Sequence, residues 1–155
     1  MTKKKAAGSA RAEGAGAADQ APLRVLIVDD DLVDRMAVRR KLAQTGLAVQ
    51  TGEAEGVLDA INRLAEEHYD CVLLDFNLPD GDGLTFLRGL RTAGMSVPVV
   101  MLTGQNDPRV VADLVTAGAA DYLPKSLLTP ERLLQALGRC CDGNGAVRAA
   151  LPGPG

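Results

Sequence analysis

The stretch that decides the fold is Val25–Asp31, VLIVDDD, in which four aliphatic residues run directly into three aspartates. A short, continuous apolar run is typical of a strand that is buried on both faces of a parallel sheet. A stretch with helical periodicity follows from Leu32 to Gln44. The pattern therefore predicts a βα unit whose strand ends in carboxylates.

The same unit recurs four more times along the chain. The predicted strands are Leu47–Gln50, Cys71–Leu74, Val99–Leu102 and Asp121–Leu123, and the helices after them are Glu53–Glu67, Leu84–Thr92, Pro108–Ala117 and Pro130–Cys141. Five βα units predict an α/β fold, in which helices cover both faces of a parallel sheet. Asp107 and Thr129 each precede a proline that is suited to the first position of a helix.

Length and composition predict one domain with two tails. A chain of 155 residues can bury a single full-sized core. We predict a domain over residues 23–142, with flexible tails over 1–22 and 143–155, because both ends lack apolar periodicity.

Charge and hydropathy exclude several classes of function. Residues 1–22 carry four basic and two acidic side chains, whereas the rest of the chain carries thirteen basic and eighteen acidic ones. An acidic domain disfavours nucleic acid as a partner. No apolar run approaches the roughly 20 residues of a membrane span, so we expect a cytoplasmic protein. The three cysteines fit neither a disulfide framework nor zinc spacing and predict reduced thiols with packing roles.

Polar residues follow four of the predicted strands. Ligands of open parallel sheets bind beyond the carboxyl ends of the strands. The first strand ends in Asp29–Asp31, the third in Asp75, the fourth in Thr103 and the fifth in Lys125, whereas Gln50–Gly52 after the second strand offers little. A binding site is therefore expected at this edge of the sheet.

These residue types point to phosphate chemistry with a divalent cation. Like charges about 4 Å apart repel by roughly 1 to 4 kcal/mol, so Asp29, Asp30 and Asp75 need a counter-charge. An all-oxygen set suits Mg²⁺. Lys125 and Thr103 could hold phosphoryl oxygens, and the Asp75 carboxylate could act as a nucleophile and become an acyl phosphate.

Four segments carry a family resemblance: Val25–Asp31, Val72–Leu84, Val99–Gly104 and Ala117–Lys125. In this order and spacing they resemble the receiver domain of bacterial two-component response regulators. The resemblance implies a flavodoxin-like fold with strand order 2-1-3-4-5. It also implies that the chain is not an enzyme acting on a separate substrate.

The resemblance assigns a role to each site residue. It implies that Asp75 is phosphorylated, that Asp30, Asp75 and the Asn77 carbonyl bind Mg²⁺, and that Asp29 assists through water. Thr103 and Lys125 would contact the phosphoryl group, and Tyr122 would move with Thr103 on activation.

One position departs from the pattern, because receivers commonly have proline directly after the lysine. Here Ser126 follows Lys125, and Pro124 precedes it. A cis peptide without proline costs about 2.5 to 4 kcal/mol, so we expect the Lys125–Ser126 bond to be trans.

Alternatives from other classes explain less of the sequence. The segment Asp29–Val33 fits the nucleophile motif of haloacid-dehalogenase-type phosphohydrolases, but the chain lacks a close acidic pair after Lys125. A calcium loop beginning at Asp75 would require glycine at Asp80. A receiver-like interaction module that is never phosphorylated ranks second.

With no effector domain in the sequence, output is expected to pass through partner proteins. The resemblance implies a sensor histidine kinase or a histidine phosphotransfer protein as the donor. Signalling to a downstream protein, phosphate relay and a phosphate sink are all consistent with the sequence. The expected output surface is formed by the fourth helix, fifth strand and fifth helix. Its charges could pair with a partner or with a second copy of the chain, and they are Arg109, Asp113, Asp121, Arg132 and Arg139.

Overall fold

A computed structural model of the protein describes residues 22–104 and 108–141. The predicted flexible tails lie outside these residues, apart from Pro22, and so does the predicted cap Asp107.

The described residues form a five-stranded parallel sheet. Its strands are β1 (Leu23–Val28), β2 (Val49–Ala54), β3 (Cys71–Asp75), β4 (Val99–Thr103) and β5 (Asp121–Pro124). Their order across the sheet is β2-β1-β3-β4-β5. The α/β, flavodoxin-like fold and the predicted strand order 2-1-3-4-5 are confirmed.

Five helices alternate with the strands: α1 (Leu32–Ala43), α2 (Val57–Glu66), α3 (Gly83–Thr92), α4 (Pro108–Thr116) and α5 (Pro130–Cys140). A short hairpin, Asn77–Leu78 with Gly81–Asp82, lies between β3 and α3, and a 3₁₀ turn, Lys125–Leu127, follows β5. Thr129 caps α5 as predicted, since its side chain accepts a hydrogen bond from the Arg132 amide. Gly94 and Gly118 follow the ends of α3 and α4, and Gly46 lies in the turn after α1; their positive φ angles suit glycine.

The sheet separates two aliphatic cores. One face carries α1 and α5, whose Val38, Leu42 and Leu133 pack against Val25 and Ile27 of β1. The other face carries α2, α3 and α4, which contribute Ala60, Phe86, Leu87, Leu90 and Leu114. Alternating residues of β1 therefore enter different cores, as expected for a strand covered on both sides.

The bounds predicted from the sequence for the second βα unit were wrong. The strand was expected at Leu47–Gln50 and the helix from Glu53, whereas β2 runs from Val49 to Ala54 and α2 begins at Val57. Every residue of β1 pairs with one of β2, so the backbone ladder extends β2 through its polar residues. Backbone pairing along the whole of β1 decided the strand, and apolar patterning did not.

The cysteines that the structure describes lie in the core. Cys71 and Cys141 are buried in the core beneath α1 and α5. The Cys141 thiol lies 3.5 Å from the Asp70 carbonyl, to which it can donate. Their surroundings agree with packing roles, whereas the Cys140 side chain lies outside the described set. None of the described helices has both the length and the apolar character needed to cross a membrane.

Candidate functional site

Three carboxylates meet at the carboxyl edge of the sheet. β1 and β3 are neighbours, with Val28 opposite Leu74, so the residues that follow these positions come together. One carboxylate oxygen each from Asp29, Asp30 and Asp75 lies within 4.8 Å of the other two. Asp29 and Asp75 are only 1% and 6% exposed, whereas Asp30 is exposed. The cluster is thus half enclosed and half open to solvent.

Local hydrogen bonds fix the loop between β1 and α1. Asp29 Oδ1 accepts from the Asp31 amide at 2.9 Å, and the Asp31 side chain accepts from the amides of Val33 and Asp34 at the start of α1. On the other side, the buried guanidinium of Arg35 donates to the Asp29 carbonyl at 2.7 Å. The order of these polar residues therefore sets the direction of the Asp29 side chain before any ligand arrives.

Asp75 is held in an environment that opposes its charge. Burial and the neighbouring Asp29 carboxylate raise the pKa of Asp75 above its ordinary value, although Lys125 and the Asn77 amide act in the other direction. The Asn77 amide donates to Asp75 Oδ1 at 3.4 Å. Because the ionised form of Asp75 is disfavoured, a cation bound beside it would stabilise that form.

Lys125 reaches across the edge of the sheet to three carboxylates. Its Nζ lies 2.9 Å from Asp29 Oδ2, 2.9 Å from Asp34 Oδ2 and 3.4 Å from Asp75 Oδ1. Burial acts to lower the pKa of Lys125, but the hydrogen bonds to Asp29 and Asp34 and the nearby carboxylate charges raise it above its ordinary value. Lys125 therefore stays positively charged beside the carboxylate cluster.

Thr103 lies on β4, the strand next to that of Asp75, and Tyr122 lies on β5, one strand further along the sheet. Asp75 pairs with Leu102, so Thr103 continues β4 one residue beyond the level of Asp75. Thr103 is buried, and Tyr122 is partly buried against the core beneath α2, α3 and α4. Gly104 follows Thr103, and a Cβ atom built there would meet no heavy atom within 4 Å. Among the described residues, nothing therefore crowds the position that a side chain at residue 104 would occupy.

The carboxylate cluster has the donor set of a magnesium site. Each of the three residues offers one oxygen atom, and Asp30 is exposed, which leaves room for water and phosphate oxygens. No histidine or cysteine belongs to the cluster, so its chemistry does not favour a softer metal. The residues present fit Mg²⁺.

All the predicted polar groups lie near this edge, but the sequence missed two that organise it. Arg35 binds the Asp29 carbonyl and also donates to Glu53 at 2.8 Å, and Asp34 binds Lys125. The first turn of α1 gave a partial signal, because Asp31 is a cap and Asp34 follows it by three residues. Neither the partner of Asp34 nor that of Arg35 is adjacent in sequence.

Comparison with known proteins identifies the family. The family model of the response regulator receiver domain matches residues 25–138. The protein therefore belongs to the response regulator receiver domain family and to two-component signalling.

Individual relatives agree with this assignment. The chain is 35% identical over 132 residues to the response regulator MprA of Mycolicibacterium vanbaalenii, covering 83% of this chain and 56% of that protein. It matches the signal receiver domain of NarL from Mycobacterium tuberculosis with a TM-score of 0.71 and 27% identity, over 79% of this chain and 98% of that one. The chemotaxis response regulator CheY4 of Vibrio cholerae gives a TM-score of 0.65 and 28% identity, over 77% and 99%. The chain spans about half the length of the curated relatives it matches.

Proposed function

We propose that the protein is a response regulator whose receiver domain accepts a phosphoryl group on Asp75. The observation that carries this proposal is the placement of the buried Asp75 carboxylate beside Asp29, Asp30 and the Lys125 ammonium group. A nucleophile, a cation site and a phosphate-binding charge meet at one point. These are the groups that phosphoryl transfer requires.

The transfer forms one bond and breaks another. An oxygen of the ionised Asp75 carboxylate attacks phosphorus of a phosphohistidine, and a P–O bond forms while the P–N bond breaks. The electron pair of the broken bond leaves with the imidazole nitrogen of the donor. Lys125 is close enough to Asp75 to stabilise the charge of the transferred oxygens, and Thr103 would offer its hydroxyl to one of them.

Four residues would hold the metal. Asp30 and Asp75 would be direct ligands with the Asn77 carbonyl, and Asp29 would act through water because its two oxygens already contact the Asp31 amide and Lys125. When bound, Mg²⁺ neutralises charge on the phosphoryl oxygens. The high negative charge of the cluster supports this assignment.

The donor and the output would both be proteins. A sensor histidine kinase or a histidine phosphotransfer protein would supply the phosphoryl group, and the reaction would take place in the cytoplasm. Movement of Thr103 toward the phosphoryl group would free space into which Tyr122 turns, and so alter the surface of α4, β5 and α5. That surface would bind a downstream protein or, in a homodimer, a second copy of the chain.

A phosphodonor assay tests the central step. Incubation with acetyl phosphate and Mg²⁺ should add one phosphoryl group to the intact mass, and Asp75→Asn should abolish the addition. Asp82→Asn is a matched control because Asp82 is exposed and caps α3, and it should retain the label. Unlabelled wild-type protein would favour a receiver-like module that works by binding alone, and turnover of phosphate esters would favour a phosphohydrolase.

A further inference from the structure

The contact between Asp34 and Lys125 joins the first helix to the loop after the last strand. Asp34 lies in the first turn of α1, and Lys125 begins the 3₁₀ turn after β5. Their side chains meet at 2.9 Å although they are 91 positions apart in the sequence. Asp34 is neither one of the proposed metal ligands nor the proposed phosphoacceptor.

An ammonium group has three N–H donors, and three carboxylates surround Lys125. Asp29, Asp34 and Asp75 lie within 2.9, 2.9 and 3.4 Å of Nζ. Nζ donates hydrogen bonds to Asp29 and Asp34, and Asp75 Oδ1 lies farther away. A phosphoryl oxygen on Asp75 that approaches Lys125 would therefore compete with these carboxylates for the ammonium group.

The exposure of the three carboxylates indicates which of them can lose its contact with Lys125 at the lowest cost in free energy. The Asp34 side chain is 43% exposed, whereas the side chains of Asp29 and Asp75 are only 1% and 8% exposed. Water can solvate Asp34 when Lys125 leaves, but a buried carboxylate would lose its partner without replacement. The pair with Asp34 is thus the least costly one to break.

We propose that Asp34 is a positioning residue that competes with the incoming phosphoryl group for Lys125 and loses its contact with the ammonium group when Asp75 is phosphorylated. The inference rests on the proposed phosphoacceptor function. Asp34 then sets the balance between the unphosphorylated and the phosphorylated arrangement of Lys125. Weakening this contact should favour binding of phosphoryl-like ligands.

Beryllofluoride affinity tests the competition. At saturating Mg²⁺ and physiological salt, Asp34→Asn should bind beryllofluoride about twofold to fivefold more tightly than wild type, as expected for loss of a partly exposed ion pair. Asp34→Glu keeps the charge and should return the affinity toward the wild-type value. Glu66→Gln, which removes an exposed carboxylate from the last turn of α2, should leave the affinity unchanged. Equal or weaker binding by Asp34→Asn would overturn the proposal, as would an equal gain in Glu66→Gln.

A second readout separates this proposal from the phosphoacceptor function. In metal-free protein, the NMR signals of the Lys125 Cε and Nζ groups should shift in Asp34→Asn and not in Glu66→Gln. An unchanged Lys125 signal in Asp34→Asn would overturn the Asp34 proposal whatever the protein binds. Failure of wild-type protein to bind beryllofluoride with Mg²⁺ would instead overturn the proposed function.

Discussion

Arg35 donates from its guanidinium to the main-chain carbonyl of Asp29 at 2.7 Å, so a side chain of α1 holds the backbone of the loop that begins the acidic cluster. The same guanidinium donates through Nε to Glu53 of β2 at 2.8 Å. A planar fork with several donors can bind both acceptors at once, which an ammonium group does less well. Arg35 thereby links β2, the β1–α1 loop and α1.

Loss of this link should destabilise the domain. Arg35→Ala should lower the free energy of unfolding by about 2 to 3 kcal/mol, because the Asp29 carbonyl loses a buried donor and Glu53 loses one of its two arginine partners. Arg35→Lys should lose less, since it keeps the charge without the fork geometry. Urea denaturation measures both changes. Arg40→Ala, an exposed change in the same helix, should stay within about 0.5 kcal/mol of wild type, and an equal loss there would contradict the assignment.

Removing the buried charge of Asp75 should stabilise the metal-free protein. Burial and Asp29 raise the pKa of Asp75 in the folded state above its value in the unfolded chain, so the folded protein binds the proton more tightly. In chelator at pH 7, Asp75→Asn should raise the free energy of unfolding by on the order of 1 kcal/mol.

The sign of the pH dependence follows from the direction of that shift. The unfavourable charge of Asp75 is present above its folded-state pKa and disappears as the pH falls and the carboxyl group is protonated. The stability difference between wild type and Asp75→Asn should therefore shrink toward acid pH. Asp113→Asn, at an exposed position of α4, should show no such narrowing. A difference that widens in acid would contradict the raised pKa.

Lys125 and Mg²⁺ should compete electrostatically for the same carboxylates. Because Lys125 places a positive charge within 3.4 Å of both Asp29 and Asp75, Lys125→Ala should bind Mg²⁺ roughly threefold to tenfold more tightly. Calorimetric titration in the absence of a phosphodonor measures the affinity. Arg88→Ala removes an exposed positive charge from α3 and serves as the control. Weaker Mg²⁺ binding by Lys125→Ala would mean that the lysine positions the carboxylates for the metal.

Two glycines of α3 should respond in opposite directions to alanine. A Cβ atom at Gly83 would lie 2.9 Å from both the Asp75 carbonyl oxygen and Met101 Sδ, whereas one at Gly89 would meet no heavy atom within 4 Å. Gly89→Ala should stabilise the helix by about 0.5 to 1 kcal/mol. Gly83→Ala should destabilise the protein and displace the backbone beside Asp75. Thermal unfolding of the two variants gives the comparison, and a stable Gly83→Ala protein would show that this backbone can shift.

Phosphorylation should change the surface that contains α4, β5 and α5. With beryllofluoride and Mg²⁺, amide chemical shifts should change mainly between Thr103 and Leu137, because Thr103 and Tyr122 lie on adjacent strands. Thr103→Ala should remove the Tyr122 response, and Thr103→Ser should keep it because the hydroxyl remains. Changes concentrated in α1 and α2 would place the output surface elsewhere.

The strands that are continuous apolar runs could be predicted from the sequence. The contacts between side chains of different helices and strands could not. β1, β3 and β4 read as continuous apolar segments, and their ends located Asp29, Asp75 and Thr103 correctly. β2 is an edge strand with polar residues, so its extent depended on pairing with β1. The Asp34 and Arg35 contacts depend on directions of side chains between elements, which periodicity does not encode.

The two cores on opposite faces of the sheet have a consequence for how the chain tolerates change. Leu73 and Leu74 are neighbours in β3, yet Leu73 packs with the α1 and α5 core and Leu74 with the α2, α3 and α4 core. A cavity made at one position cannot be filled by a larger side chain in the other layer. The effects of substitutions at Leu73 and Leu74 on the free energy of unfolding should therefore be close to additive. Leu74 and Leu87 share a core, so the residues at these two positions should change together among related sequences.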